Sequence, residues 1–148
     1  MKKILSFTLM SLALTFLNSA NADVVGVVDT GKIQDNYTKV QRAADEISDK
    51  YAEIQRYALD KERDYKKLST PLERKNFEDA AEREISKRQE AYLKLKEKKE
   101  LEIESAIKAA IKQVAIENKI DTVVEKSVVF FGGVDITDKV VKYLNAAK

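Results

Sequence analysis

The feature that most constrains this chain is a spacing. From Ile33, apolar residues recur in alternating steps of four and three: Ile33, Val40, Ile47, Ile54, Lys61 and Leu68 on one row, with Tyr37, Ala44, Tyr51, Ala58 and Tyr65 between them. Lys61 is the only polar intrusion on these rows. That pattern predicts a long helix packed along a narrow seam, as in a coiled coil, rather than a helix lying on a broad globular face. Ser69-Thr70-Pro71-Leu72-Glu73 then ends one helix and begins another. Thr70 fits an N-cap, Pro71 the first helical position and Glu73 the third, completing a capping box. The second helix is expected to run to about Asn118, with Ile103, Ile107, Ile111 and Val114 near its end.

Charge decides where these helices can lie. Between Lys61 and Lys99 stand 13 basic and nine acidic residues, so 22 of the 39 positions are charged. Helices this polar cannot be wrapped in a core; they project into water, supported by i,i+4 pairs and by each other. Strand-like residues lie at the two ends instead. Val24-Val25-Gly26-Val27-Val28, Thr122-Val123-Val124-Glu125 and Ser127-Val128-Val129-Phe130-Phe131 read as strands, and Gly132-Gly133 as a turn. Asp135-Ile136-Thr137-Asp138 caps a last helix carrying Val140, Val141 and Leu144.

Short strands need partners, so both ends must meet in one sheet and the helical zone must double back near Ser69–Pro71. The expected fold class is α+β: a long antiparallel helical hairpin, a coiled-coil-like arm, on a small β body. Residues 23–32 and 119–148 would form the body, and 33–118 the arm with its tip near 67–73. At about 1.5 Å per residue the second helix outruns the first by ~18 Å, so its last turns should be buried at the level of the strands. Such a body is too small to support two long helices alone, which points to self-association through it. Val25, Val27, Val128, Phe130 and Ile136 are the candidate body residues for that contact.

The first 22 residues read as a cleaved signal peptide. Lys2 and Lys3 form the positive end, Ile4–Leu17 the apolar segment, and Ala20-Asn21-Ala22 the small-x-small site ahead of Asp23. No later segment approaches the ~20 apolar residues of a membrane span. Lys2 and Lys3 are the leader's only charges, so cleavage after Ala22 leaves 25 basic against 25 acidic residues. Both methionines leave as well, and the mature chain then holds no Cys, His, Met or Trp. Disulfides, Cys/His zinc sites, haem, blue copper and His-dependent nucleophilic catalysis each lack a required residue.

The remaining motifs are weak. Gly26-Val27-Val28-Asp29-Thr30-Gly31-Lys32 has the outline of a phosphate-binding loop, but Ile33 stands where that motif needs Ser or Thr. Ser105-Ala106-Ile107-Lys108 fits a Ser-x-x-Lys element without its companions. Asp29, Asp135 and Asp138 are better placed as helix caps than as a calcium site. Asn36-Tyr37-Thr38 is a glycosylation sequon beside the expected seam. Neither an enzyme nor a cofactor protein is expected. Five basic residues flank the hairpin turn: Arg63, Lys66, Lys67, Arg74 and Lys75. They are the candidate residues for drawing an acidic client or an anionic membrane surface to the arm tip. A neutral exported chain argues against nucleic acid.

The Val27-Val28-Asp29 strand, the charged hairpin, Ile120-Asp121-Thr122-Val123-Val124 and the Asp135-Ile136-Thr137-Asp138 ending, in this order and spacing, resemble the OmpH/Skp family of periplasmic chaperones. The resemblance covers essentially the whole mature chain. It implies a homotrimer whose β bodies join three subunits, with three helical arms around a central cavity. It implies ATP-independent holding of unfolded outer-membrane β-barrel proteins in the periplasm, with no cofactor. Two features depart from the family: its familiar members are markedly basic whereas this mature chain is neutral, and the arms lack methionine, the adaptable contact residue. The alternative from a different class is a structural coiled-coil protein that bridges envelope components without holding clients.

Overall fold

The computed structural model describes residues 23–146; the expected leader lies outside them. Seven elements follow in order: β1 (Val25–Val28), α1 (Thr30–Asn36), α2 (Thr38–Tyr65), α3 (Pro71–Glu117), β2 (Thr122–Glu125), β3 (Val134–Asp135) and α4 (Thr137–Ala146). Long helices dominate, and the three short strands make one parallel sheet in the order β2-β1-β3.

The arm consists of two long helices, and it starts at Thr38 rather than at Ile33, because Ile33 and Tyr37 belong to the body core. Helices α2 and α3, of 28 and 47 residues, are roughly 42 and 70 Å long at about 1.5 Å per residue. The capping box is present: the Glu73 N–H donates to the Thr70 hydroxyl, and the Thr70 N–H donates to the Glu73 carboxylate at 3.1 Å. The excess length of α3 is buried at the body, where Ile107, Ala110, Val114 and Ala115 join Val28, Ile33, Tyr37, Ile120, Ile136, Val140 and Leu144 in the core. Ile111 packs against that cluster half-buried.

The seam differs from its expected rows by one residue. Ala43 is buried and Lys50 and Tyr57 are half-buried, whereas Ala44 is exposed and Tyr51 is 52% exposed. The inner rows of α2 near the body are therefore Val40, Ile47 and Ile54 with Ala43, Lys50 and Tyr57, while toward the tip Ala58, Lys61, Tyr65 and Leu68 are half-buried on the expected rows. The cause lies at Tyr37. It is buried but extended (φ −88°, ψ 111°), so α1 ends there and α2 starts again at Thr38 with a new phase. A single helix from Ile33 would have kept Tyr37 and Ala44 on one row.

Ser127–Phe131 is not a strand. Lys126–Val128 makes a single 3-10 turn and the following residues run irregularly to β3. All strands are parallel, and neighbours running the same way cannot be joined by a hairpin turn. The eight residues after β2 must carry the chain back past β1 to start β3. Gly132 and Gly133, at φ +88° and +87°, complete that return. Gly133 lies so close over β1 that an added Cβ would stand 2.7 Å from Val27 Cγ1.

Two of the three aspartates expected to cap do so; Asp138 lies within the first turn of α4 and instead stands 2.7 Å from Lys32 Nζ. Asp29 Oδ1 accepts from the Lys32 N–H at 2.8 Å and starts α1. Asp135 Oδ1 accepts from the Thr137 N–H at 2.9 Å and starts α4. The buried Thr137 hydroxyl accepts in turn from the Asp29 N–H, tying the two helix starts together.

Candidate interaction surfaces

The arm tip carries the five basic candidates, and the structure gives four of them partners. Arg63 lies 3.4 Å from Asp60, Lys66 2.7 Å from Glu62, and Lys67 2.8 Å from Asp64. The Lys66 and Lys67 hydrogen bonds hold the Glu62 and Asp64 carboxyls below their usual range. Arg74 donates from Nε and Nη2 to the Leu68 carbonyl and stacks over the Tyr65 ring, 5.6 Å from its centroid. Arg74 and Lys75 have no ion pair among the described residues, and Lys75 alone of the five has no partner of any of these kinds. Asp60 and Glu62 before the basic run, and Glu78 and Asp79 after it, complete the balance: residues 60–79 hold six basic and six acidic side chains. The tip is charged but neutral, and its guanidinium at Arg74 closes the hairpin turn.

Along the shaft, cations sit inside the seam against aromatic rings. Arg88 lies 4.4 Å from the Tyr57 centroid, and Lys61 reaches both Tyr57 and Phe77 at 5.2 and 5.4 Å. Tyr51 pairs with Tyr92 and Tyr65 with Phe77, at centroid separations of 5.9 and 6.5 Å. Lys99 joins α3 to Glu46 of α2 at 2.6 Å. These contacts tie the helices together while leaving the charged groups near water, and a cation over an exposed ring adds about 0.5–1 kcal/mol at most. Leu59, Leu72, Leu93 and Leu101 are exposed one at a time along the outside.

The five body candidates divide. Val27 and Ile136 are buried inside their own chain, so neither presents a surface to a second copy. Val25, Val128 and Phe130 are exposed, and Phe131 and Val134 join them. Gly26 and Val28 face the helices, so period-two alternation turns Val25 away from them, to the sheet's outer face. Phe130 and Phe131 are essentially fully exposed, side by side. The Val-Val-Phe-Phe run was the signal for them; the strand assignment hid it by turning alternate residues inward.

At the arm's root, between the sheet and the helices, lies an open groove of about 780 Å³. Val40, Ile103, Ile107, Ile111, Val123 and Val124 contribute its walls, with Glu100 and Glu104 among its lining.

The weak motifs resolve into structure. Gly26 lies within β1 and Gly31-Lys32 within the first turn of α1, with Lys32 Nζ 2.7 Å from Asp138. Lys108 is ion-paired to Glu104, beside Ser105 on an exposed helix face. Asp135 is held well below the usual carboxyl range by hydrogen bonds from Lys126 and from Thr137. Among the described residues no group of three or more carboxylate, Cys or His side chains is arranged to hold a metal ion. Asn36 uses its side-chain amide to donate to the Lys32 carbonyl.

Fold and surfaces together define a class: a small parallel-sheet body bearing one long helical arm, whose exposed features are apolar on the body and charged along the arm. The sequence model of the family described as "Outer membrane protein (OmpH-like)" matches residues 24–144, and the chain belongs to that family. Among solved structures, it is similar to a candidate outer membrane chaperone (OmpH-like) from Caulobacter crescentus CB15. The two share 16% identity and a TM-score of 0.52 over 86% of each chain, a likeness of fold. No curated protein matches the chain.

Proposed function

We propose that the chain is an ATP-independent holdase chaperone, exported to the periplasm, that binds unfolded outer-membrane β-barrel proteins as a homotrimer and prevents their aggregation. The observation that carries this reading is the division of its exposed surface. Apolar residues are concentrated on the body at Val25, Val128, Phe130, Phe131 and Val134, whereas the arm offers scattered leucines and tyrosines among charges. Concentrated apolar surface suits a permanent contact between copies, and scattered apolar surface suits many weak contacts with a changing client.

The client chemistry follows from what such an arm would meet. An unfolded barrel strand exposes alternate apolar residues and unpaired backbone groups, and it aggregates through its edges. Three arms around one chain would keep such segments apart. Release needs no nucleotide if the folding barrel or its acceptor binds the segments more tightly. With the tip neutral, attraction of acidic clients or anionic membranes falls mainly to Lys75 and to Lys66 and Lys67 when their exposed pairs open, so it should be short-ranged and sensitive to salt.

Two measurements test the reading. Light scattering after size exclusion should give three times the mature chain mass. Dilution of a urea-unfolded outer-membrane β-barrel protein should stay clear at near-stoichiometric trimer. A trimer that leaves the barrel protein to aggregate would favour the envelope-spacer reading, and a monomer would end both the cage and the proposed client mechanism.

A further inference from the structure

Beside the break between α1 and α2 lies a second cleft, of about 460 Å³, with walls from α2 and α3. Tyr37, at the break itself, lines it. This tyrosine is only 2% exposed, and its hydroxyl forms no hydrogen bond among the described residues. Among those residues no fully enclosed side-chain oxygen lacks a partner, so the hydroxyl opens to solvent, and the cleft is the space its side chain borders. A buried phenol ordinarily finds a partner. Here the place for one is in the cleft.

The charges around the cleft define what fits it. Lys39 and Arg42 of α2 and Lys99 of α3 line it together with Glu46 and Glu102. Lys99 is paired to Glu46 at 2.6 Å, and Glu102 stands 3.8 Å from Lys98. Lys39 and Arg42 have no ion pair among the described residues. Three cations against two carboxylates leave one positive charge, which a monoanion balances. The second charge of a phosphate dianion would stand against Glu46 and Glu102. Arg42 offers a planar fork that matches a carboxylate through two parallel bonds. Ala43, Ile103 and Ala106 supply apolar wall, and the two alanines leave room for a tail. We infer that the cleft binds an organic monocarboxylate with an apolar tail, its oxygens held by Arg42, Lys39 and the Tyr37 hydroxyl. Two sources share this chemistry: a free carboxylic acid, and the terminal carboxylate of a peptide ending in apolar residues. Either would bridge α2 and α3 at the arm's root. The site depends neither on the holding of unfolded clients nor on the number of copies.

Calorimetric titration of the mature chain tests this with two acids, hexanoate and N-acetyl-leucyl-leucine, each beside its neutral amide. An acid should bind about tenfold more tightly than its amide or better. Arg42→Gln and Tyr37→Phe should each weaken the acid by about tenfold, and Lys75→Gln at the arm tip should not. Arg42 is exposed, so Arg42→Gln decides the matter even where Tyr37→Phe softens the body core. Binding of hexanoate alone would support the site and assign it to free acids; binding of the peptide acid alone would support it and assign it to chain termini. Binding of neither acid, equal affinity for acid and amide, or an acid affinity indifferent to Arg42→Gln would overturn the site. Inorganic phosphate that displaced the acid at equal concentration would overturn the choice of a monocarboxylate.

Discussion

Asn145 should set the angle at which the arm leaves the body. The helix break at Tyr37 leaves two backbone groups without helical partners, the Asn36 carbonyl and the Thr38 N–H, and the Tyr37 side chain caps neither. The Asn145 amide, from the end of α4, serves both: Oδ1 accepts from the Thr38 N–H at 3.0 Å, and Nδ2 donates to the Asn36 carbonyl at 2.8 Å. One side chain thus replaces the missing helical bonds and acts as an N-cap for α2. Both bonds are exposed, so each is assigned the lower half of the usual 0.5–1.5 kcal/mol, and Asn145→Ala should cost about 1–2 kcal/mol. Asn145→Asp should cost less: it keeps the acceptor at the positive end of α2 but loses the donor and sets a charge against the Asn36 carbonyl. Urea unfolding followed by circular dichroism, at one fixed protomer concentration, measures the cost. Spin labels on Gln55→Cys and Lys142→Cys, diluted with unlabelled chains, measure the angle. The distance distribution should broaden most in Asn145→Ala and less in Asn145→Asp. A cost below about 0.3 kcal/mol with an unchanged distribution would mean that burial of Tyr37 alone fixes the break.

The other predictions concern the loop, the sheet's edge and the seam. Gly132→Ala has open space around it but a positive φ, and should cost about 1–2 kcal/mol; Gly133→Ala adds a collision with branched Val27 and should cost about 2–5 kcal/mol, as thermal melts would read. Asp135 is held low in the folded chain, chiefly by Lys126, so its contribution to stability is present above the ordinary carboxyl value of about 3.9 and is lost as pH falls below it. Asp135→Asn should therefore be less stable than wild type at pH 7, with the gap closing below pH ~4 in urea midpoints; a gap independent of pH would refute the assignment. Glu46→Gln removes the Lys99 partner across the arm, and should lower the arm's protection from amide exchange in dilute buffer but not in 1 M NaCl, where the Debye length is about 3 Å.

Local chemistry was legible in the sequence, and distant geometry was not. Thr70, Pro71 and Glu73 announce their helix start because a capping box is complete within four residues. Asp29 and Asp135 are readable as caps for the same reason. The phase of α2 was not readable, because the break that resets it is pinned by Asn145, 109 residues from Asn36. Val128–Phe131 has the residues of a strand, yet β2 and β3 run parallel on either side of β1, so that stretch must serve as the return path. The basic tip looked cationic because the count began at Arg63; Asp60 and Glu62, one turn earlier, face Arg63 and Lys66. In each miss, the deciding partner lay outside the window in which the pattern was read.

The composition of the seam bears directly on the proposed role. A pair of helices this long could be held far more firmly by leucine and isoleucine at every inner position. Here Lys50, Lys61, Arg88 and Lys99 occupy inner positions with Tyr57, Phe77 and Tyr92. Cations against rings hold the helices in register, but they leave no continuous apolar stripe when the helices part. A firmly apolar arm that opened would bind its own kind, and edge-prone clients held against it would be slow to leave. An arm cemented by weak, solvated contacts opens at small cost and exposes aromatic faces singly, each adding about 0.5–1 kcal/mol to a held segment. Many such contacts in one cage retain an unfolded chain by multiplicity while any one of them exchanges freely. Strengthening the seam should therefore work against function: replacing Lys61 and Arg88 with leucine should stiffen the arm in amide exchange yet slow the transfer of a held barrel protein to detergent micelles. Equal transfer rates from the stiffened and the native arm would show that arm opening plays no part in release.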